Sequence, residues 1–259
     1  MLASRGHPSL PLFIAMLAGI SLVMASGCVF NNYIDRGIDA KMIRTKHRAL
    51  AAHTLPARHA LIYATVLGLV GAALLGRFTN LLTLAVALGG FVVYVALYGL
   101  AKRRSVHGTI VGAVAGAVPP VVGYTAVSGQ LDAGAAIVFI ILVLWQMPHF
   151  YAIAIFRLAD YRAAGLPVLP VKRGIRAAKV QIVAYIAAFM FALATLSATG
   201  YVGPLYLIVM LGLATIWLRL ALRGFHAPDN ALWARQLFRF SLLVILTFSA
   251  MISLDALPR

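Results

Sequence analysis

Three oxygen-bearing side chains recur every four residues at the end of the first apolar segment. Asn31, Asp35 and Asp39 follow residues 11–30, and the chain has only six acidic residues in all. A four-residue step turns about 40° around an α-helix, so the three side chains share one face. Mg²⁺ is usually bound through one or two carboxylates together with substrate phosphates. The spacing therefore predicts a magnesium site at the edge of a hydrophobic segment.

Basic residues accompany this acidic segment. Arg44, Lys46 and Arg48 follow it closely, and a second run contains Lys102 and Arg103. Arginine and lysine bind phosphate oxygens, so acids that hold a metal beside bases that hold phosphate indicate a diphosphate site. The alternative is an interfacial helix with a solvated charged face, whose basic residues only anchor the chain at the membrane surface.

A second group of polar residues lies in the segment WQMPHFYAIAIFRLADYRAAGLPVLP, residues 145–170. On one continuous helix, His149, Arg157 and Asp160 would fall within an arc of about 80°. Ionisable residues inside a membrane span are functional candidates. The alternative is a packed histidine beside an ordinary Arg157–Asp160 pair.

The composition is that of an integral membrane protein. Of the 259 residues, 63% are hydrophobic and 11% charged, and the mean hydropathy is +0.95. A span needs about 20 mostly apolar residues. The single cysteine, Cys28, excludes an intrachain disulfide. Eight segments qualify as spans, namely 11–30, 59–76, 79–100, 109–127, 133–156, 177–198, 203–222 and 237–257. The pair Pro119-Pro120 predicts a kink or break in the fourth of them.

The net charge of +16 is explained by topology. If the eight spans alternate in direction, every Lys and Arg except Arg5, Arg77 and Arg259 lies on one side of the membrane. The positive-inside rule places that side in the cytoplasm. Asp35, Asp39 and all histidines except His7 share it, which predicts an active site that opens to the cytoplasm. The spans interrupt the basic residues, which argues against nucleic-acid binding.

The N-terminus is unusual for this topology. Eight spans place both termini outside, whereas one more span upstream would start the chain in the cytoplasm. We therefore expect a first span to be missing from this sequence. An alternative is a lipoprotein signal ending at ASGC, residues 25–28. It would send the basic residues at 36–58 outward, against the charge pattern of every later loop.

Two sets of motifs resemble a known family. NNYIDRGID followed by KMIRTKHR resembles the first Asp-rich motif of the UbiA-type membrane prenyltransferases. The 145–170 segment, together with KRRSVHGTIVGAVAGAVPPVVGY, resembles more narrowly the haem-prenylating branch of that family. The acidic motif alone is moderately specific, whereas the second combination is highly specific. The resemblance covers residues 1–259.

The resemblance implies a fold and a reaction. The fold is an all-α, polytopic membrane helical bundle. Residues 1–259 would form a single domain with eight of the nine spans usual in the family. The reaction moves a farnesyl group from farnesyl diphosphate to the 2-vinyl group of haem b. The implied location is the bacterial inner membrane, within the lipid bilayer, with the active site facing the cytoplasm. Haem A synthase or a terminal oxidase assembly factor is an implied protein partner.

The resemblance also implies roles for individual residues. Asn31, Asp35 and Asp39 would be catalytic and hold Mg²⁺. The diphosphate would be bound by Arg44, Lys46, Arg48, Lys102 and Arg103. The haem side would be formed by His149, Arg157, Asp160 and Tyr161, with His149 contacting haem through its iron or a propionate.

The chain departs from the wider family in two motifs. Many relatives have Asp where this chain has Asn32, and of the second Asp-rich motif only Asp160 remains. These losses weaken the case for a second, fully ligated Mg²⁺. They also argue against a related prenyltransferase with an aromatic acceptor such as a hydroxybenzoate, in which a fuller second motif is expected. A proton-coupled transporter would instead place polar residues near several span midpoints, but here they gather at one membrane edge.

Overall fold

The structure is a computed structural model, and it describes residues 9–256. Within that range the fold is helical, and the only β pairing is an isolated bridge between Val202 and Ala256. Eight helices among the described residues are long and apolar enough to cross a membrane, which confirms the predicted number. They cover Leu10–Asp39, Ala57–Phe78, Leu81–Arg104, Gly108–Ser128, Ala133–Phe156, Gly174–Ala198, Pro204–His226 and Asn230–Leu254.

The chain forms two compact units. The described part of the first comprises residues 9–130 and 159–167, and that of the second comprises 131–158 and 168–256. The prediction of one domain over residues 1–259 is not tested by this division and stays a prediction.

The first unit is built from the helices that precede residue 130. They are α1 (Leu10–Asp39), α2 (Ala57–Phe78), α3 (Leu81–Val92), a π-helical turn (Val93–Tyr98), α4 (Gly99–Arg104), α5 (Gly108–Gly116) and α6 (Val118–Ser128). The short helix α8 (Leu158–Ala163) falls almost wholly in this unit. Apolar side chains from α1, α2, α3 and α6 form the core, including Met16, Leu75, Ala87 and Val122.

Helix α1 begins at a capped end and is longer than its apolar segment. The Ser9 hydroxyl accepts a hydrogen bond from Leu12 N at 3.3 Å, and Pro11 lies in the first turn, where no helical N–H is needed. The helix then continues to Asp39, so Asn31, Asp35 and Asp39 all lie on its last turns.

Helices α1 and α2 approach each other closely through small residues. The buried Ser26 hydroxyl donates to Ala64 O at 2.7 Å. A Cβ atom on Gly71 would lie 2.8 Å from Gly19 O and 2.9 Å from Val23 N. Helices in membranes associate through such small residues because lipid provides little hydrophobic driving force between them.

We expect Gly71→Ala to destabilise the protein by about 2 kcal/mol, since the added methyl group meets backbone atoms that cannot turn aside. Thermal unfolding in detergent micelles measures this loss. Gly89→Ala is the matched control, because nothing lies within 4 Å of its Cβ position. Equal stability of the two variants would show that α1 and α2 can separate without cost.

The break predicted in the fourth span is present. Helix α5 ends at Gly116 and α6 begins at Val118, with Ala117 between them and Pro119-Pro120 in the first turn of α6. Proline suits a first turn because its missing N–H has no helical partner there.

The second unit contains α7 (Ala133–Phe156), α9 (Leu169–Lys172), α10 (Gly174–Ala198), α11 (Pro204–Arg223), a 3₁₀ turn (Gly224–His226) and α12 (Asn230–Leu254). Asp132 and Asp229 cap α7 and α12 by accepting backbone N–H bonds. In the core of this unit, the buried Phe189 and Trp217 rings meet edge to face.

The prediction that His149, Arg157 and Asp160 share a face of one continuous helix is wrong. Helix α7 ends at Phe156, and Arg157 takes a non-helical conformation with φ −108° and ψ 22° before α8 begins. The shared arc required unbroken helical geometry through residue 157. Helix α8 ends at Ala163, and Gly165 after it takes a positive φ of 68°.

Candidate functional site

The acidic face of α1 is held by basic residues from two other segments of the first unit. The Asp35 carboxylate pairs with Lys102 through Oδ2 and with Arg103 through Oδ1, the latter at 3.1 Å. Asp39 Oδ2 pairs with Arg48 Nη1 at 2.9 Å. Asp35 is only 8% exposed and Asp39 only 5%. Buried carboxylates are tolerated when cations compensate them, which is the arrangement here.

Asn31 belongs to the same cluster. Its Oδ1 accepts a hydrogen bond from Lys102 Nζ at 2.6 Å, so one ammonium group contacts both Asn31 and Asp35. Its Nδ2 donates to the Tyr94 hydroxyl at 3.2 Å. These two bonds fix the amide orientation and direct the oxygen of Asn31 towards the ammonium group that also binds Asp35.

The π-helical turn positions the residues that hold Asn31. Tyr94 and Tyr98 stack with ring centroids 5.7 Å apart, and Lys102 Nζ lies 4.7 Å from the centroid of Tyr98. The i→i+5 turn widens the helix at this point, and such turns are frequent at functional sites. Tyr94 and Tyr98 were not predicted as site residues. Their four-residue spacing before Lys102 was the available signal.

The loop after α1 closes back over the acidic segment. Thr45 Oγ1 donates to Asp39 O at 3.0 Å, and Arg48 Nη1 also donates to Asn32 Oδ1 at 3.0 Å. Asn32 therefore helps to position Arg48 beside Asp39. Of the three basic residues predicted in this loop, Arg48 reaches the acidic cluster. Arg44 and Lys46 are exposed and form no ion pair with an aspartate among residues 9–256.

The acidic face of α1 has the chemistry of a divalent-cation site. Asn31, Asp35 and Asp39 offer only oxygen donors, which suit a hard cation. Two carboxylates are too few to enclose the ion, and the part of the chain that the structure describes contains no cluster of three His, Cys, Asp or Glu ligands. The set therefore fits a cation that completes its shell with water and with the oxygens of a bound anion.

Two of the residues predicted for the haem side lie in the first unit. Asp160 is buried, and its Oδ1 accepts a hydrogen bond from Ile43 N at 3.3 Å. This bond ties α8 to the loop that follows the acidic segment. Tyr161 is partly buried next to it. Asp160 therefore supports the backbone of that loop.

His149 occupies an aromatic environment in the second unit. Its ring lies 4.9 Å from Trp145 and 4.8 Å from Phe238, between ring centroids. Its Nδ1 lies 2.8 Å from Ser241 Oγ, and that hydroxyl donates its single proton to Phe238 O at 2.6 Å. Nδ1 must therefore be the donor to Ser241. In the neutral imidazole this leaves the lone pair on Nε2, where it can bind a metal or accept a proton.

Other residues complete the surroundings of His149. Trp145 Nε1 donates to Ser241 O at 2.8 Å, so Ser241 binds two side chains of α7. Arg157 lies 5.7 Å from the ring centroid of Phe156 at the end of that helix. Ser241 was not predicted from the sequence, because it lies 92 residues from His149 and belongs to no motif.

Known proteins are similar to this chain in sequence and in fold. Residues 1–243 match the UbiA prenyltransferase family. A curated relative, the protoheme IX farnesyltransferase of Photorhabdus laumondii, is 52% identical over 98% of this chain and 87% of its own length.

Two solved structures show that the fold is shared at low sequence identity. Digeranylgeranylglyceryl phosphate synthase matches with a TM-score of 0.80 at 16% identity, over 98% of this chain and 88% of its own. A UbiA homolog from Archaeoglobus fulgidus bound to GPP and Mg²⁺ matches with a TM-score of 0.68 at 16% identity, over 97% of this chain and 91% of its own. The family match extends over nearly the whole chain, and the acidic helix face and the eight membrane helices agree with it. The chain therefore belongs to the UbiA prenyltransferase family.

Proposed function

We propose that this chain transfers the farnesyl group of farnesyl diphosphate to the 2-vinyl group of haem b, giving haem O and diphosphate. The observation that carries the proposal is the cluster of Asn31, Asp35 and Asp39 with three basic side chains around it. The farnesyl donor and haem acceptor follow from the relative that is half identical over nearly all of this chain.

Asn31, Asp35 and Asp39 would hold Mg²⁺ at the acidic end of α1. The support is their all-oxygen donor set, together with the Mg²⁺ and GPP bound by the Archaeoglobus homolog of the same fold. When bound, Mg²⁺ supplies positive charge that stabilises the leaving diphosphate.

The basic residues would bind the diphosphate itself. Lys102 and Arg103 already contact Asp35, and Arg48 contacts Asp39. Each of these side chains has further N–H groups beyond those used on the carboxylates, and these can donate to phosphate oxygens. Negative charge grows on the diphosphate as the allylic C–O bond breaks, so donors placed in advance lower the barrier. The exposed Arg44 and Lys46 would contribute long-range attraction.

Aromatic side chains would protect the farnesyl cation that remains after the bond breaks. Tyr94 and Tyr98 present stacked π faces next to the acidic cluster. Such faces attract positive charge, and a dry aromatic surface keeps water from the cation until the vinyl group attacks. The terminal vinyl carbon forms the new bond to the farnesyl cation, which leaves the positive charge on the inner vinyl carbon. Water then adds to that carbon and releases a proton to the solvent, which gives the hydroxyethylfarnesyl group.

We expect Tyr94→Phe to lower kcat/KM about fivefold, because it removes the hydrogen bond that orients Asn31, worth about 1 kcal/mol. Initial rates at varied farnesyl diphosphate concentration measure this effect. The matched control is Tyr63→Phe, an exposed tyrosine on α2. An unchanged rate in Tyr94→Phe would mean that Lys102 alone positions the amide.

His149 is the proposed contact for haem, through its iron or a propionate. The hydrogen bond to Ser241 fixes the ring and leaves Nε2 as the atom that would meet the acceptor. Arg157, Asp160 and Tyr161 remain predicted for the same side. Asp160 also has a structural role, because it accepts a hydrogen bond from Ile43 N and so supports the loop after α1.

We expect His149→Ala to bind haem b at least tenfold more weakly, an effect of about 1.4 kcal/mol or more. Absorbance titration of the purified variant with haem b measures affinity without turnover. Arg239→Ala, an exposed change on α12, is the control. Lost activity with unchanged haem affinity would rule out the proposed contact.

The chain is an integral membrane protein, and we propose the bacterial inner membrane with the acidic cluster facing the cytoplasm. The asymmetry of basic residues between the two sets of loops supports this orientation. The haem O product would pass to haem A synthase or to a terminal oxidase assembly factor, which makes such a protein the proposed partner.

Acceptor choice tests the proposed reaction. Membranes containing the chain would receive Mg²⁺ and radiolabelled farnesyl diphosphate, with either haem b or 4-hydroxybenzoate as acceptor. We expect label in the haem fraction and none in the aromatic acid. Label in the aromatic acid would instead identify an aromatic-acceptor prenyltransferase, and label in neither fraction from well-inserted protein would refute the proposal.

A further inference from the structure

A basic cavity of about 520 Å³ lies in the second unit, outside the residues assigned to prenyl transfer. It is formed by the first turns of α10, the 3₁₀ turn after α11 and the first residue of α12. Its lining residues are Ile175, Arg176, Lys179, Phe225, His226 and Asn230. Arg176 and Lys179 are basic and His226 is a histidine, whereas none of the lining residues is acidic. The cavity therefore favours an anion.

Lys179 forms the inner wall of this cavity and is only 7% exposed. Its Nζ donates to Gly224 O and to Asn230 Oδ1, both at 2.5 Å, and lies 5.1 Å from the Trp233 ring. These partners are all neutral. The ion pairs found among residues 9–256 do not include Lys179.

A buried ammonium without a carboxylate partner is costly. The nearest acid in the sequence, Asp229, is exposed and accepts hydrogen bonds from Ala231 N and Leu232 N at the start of α12. Its carboxylate therefore serves as a helix cap and is not part of the cavity lining. An anion in the cavity would supply the missing counter-charge to Lys179.

The exposed residues at the cavity indicate which anion fits. Arg176 and His226 are exposed, so their donors can reach a ligand while Lys179 stays inside. The arginine fork matches the geometry of phosphate oxygens. Phe225, 38% exposed, and Ile175 add apolar surface beside these donors. Basic pockets between membrane helices bind lipid headgroups in this way.

We propose that this cavity binds a phosphate group, carried either by an anionic membrane lipid or by a soluble phosphate. Binding would join the ends of α10, α11 and α12, since the lining comes from all three. Ligands that bind only the folded state raise its thermal stability. The cavity would thus make the stability of the second unit depend on phosphate.

Thermal unfolding in nanodiscs, followed by tryptophan fluorescence, tests this proposal and distinguishes the two sources. The first arm uses phosphatidylcholine alone, the second adds phosphatidylglycerol, and the third adds millimolar inorganic phosphate to phosphatidylcholine discs. We expect the second or third arm to raise the Tm of the wild-type protein by about 5 °C. A rise with phosphatidylglycerol alone identifies a lipid, and a rise with inorganic phosphate identifies a soluble ligand.

The double variant Arg176→Gln/His226→Ala should lose that rise, because both changes remove exposed donors and leave Lys179 and its bonds intact. Arg219→Gln, an exposed arginine of α11 outside the cavity lining, should keep it. A rise of the same size in the double variant would reduce the effect to general bilayer charge and overturn the proposal. No rise in the wild-type protein would overturn it as well. Neither readout depends on prenyl transfer.

Discussion

Asp35→Asn should lower the rate of farnesyl transfer by roughly 10³-fold while leaving the protein folded in the membrane. Two basic side chains, Lys102 and Arg103, bind the Asp35 carboxylate. The change removes one of the two carboxylates that we propose to bind Mg²⁺, and it releases Lys102 and Arg103 from their shared partner. Initial rates with haem b, farnesyl diphosphate and excess Mg²⁺ measure the loss.

Asp229→Asn is the matched control for this variant. It removes a carboxylate of the same type from the start of α12, where asparagine caps a helix about as well as aspartate. Its rate should therefore stay within about twofold of the wild-type rate. If both variants lost activity equally, the defect in Asp35→Asn would come from lost charge or lost folding in general and not from the proposed Mg²⁺ site.

Lys102→Met should lower kcat/KM for farnesyl diphosphate by roughly 10²-fold. Lys102 contacts both Asn31 and Asp35, and it is mostly buried against Tyr98. Methionine keeps the length and the apolar stem but removes the charge and the three donors. Because these donors would meet the leaving diphosphate, we expect a lower kcat together with a higher KM.

Arg104→Gln tests whether position within the run of three basic residues matters. Arg104 is exposed and two residues from Lys102, so it shares the sequence context but not the contacts. Its activity should stay within about twofold of wild type. An unchanged kcat/KM in Lys102→Met would contradict the proposed contact of Lys102 with the diphosphate. If turnover were unchanged and less Mg²⁺ were needed, Lys102 would only compete with the metal for Asp35.

The eight membrane helices could be predicted because hydropathy alone limits what can cross lipid. Runs of about 20 apolar residues have few alternatives to a spanning helix. The acidic face could be predicted for a similar reason, since the four-residue spacing of Asn31, Asp35 and Asp39 suits helical geometry. The apolar span was predicted to end at Phe30, and α1 continues through the acidic face to Asp39, as the shared helical face requires.

The partners of the site residues could not be predicted, because they depend on tertiary contacts. Nothing in the loop sequence separates Arg48 from Arg44, yet only the former reaches Asp39. Tyr94 accepts a hydrogen bond from Asn31, which lies 63 residues earlier in the chain. Tyr94 belongs to a π-helical turn, and the positions of proline and glycine do not predict that turn. The predicted span 133–156 coincides with α7, but the helical break at Arg157 was missed, since the residues around Arg157 include no helix breaker.

The positive-inside rule does not tell which of the basic residues near the start of α10 is buried. The positive-inside rule accounts for Arg176 and Lys179 by sidedness alone, and the sequence offers no reason to separate them. The structure separates them by burial, because Lys179 is packed between Gly224, Asn230 and Trp233 whereas Arg176 is exposed. A charge that contributes to topology can therefore also line a binding site.

The most direct test of the account is the mass of the haem formed by membranes that contain this chain. Haem b, farnesyl diphosphate and Mg²⁺ would be added, and the haems would be extracted, separated and identified by mass. We expect a haem that carries a hydroxyethylfarnesyl group from the wild-type chain and from Asp229→Asn, and almost none from Asp35→Asn. Unmodified haem b from well-inserted wild-type protein, or normal product from Asp35→Asn, would contradict it.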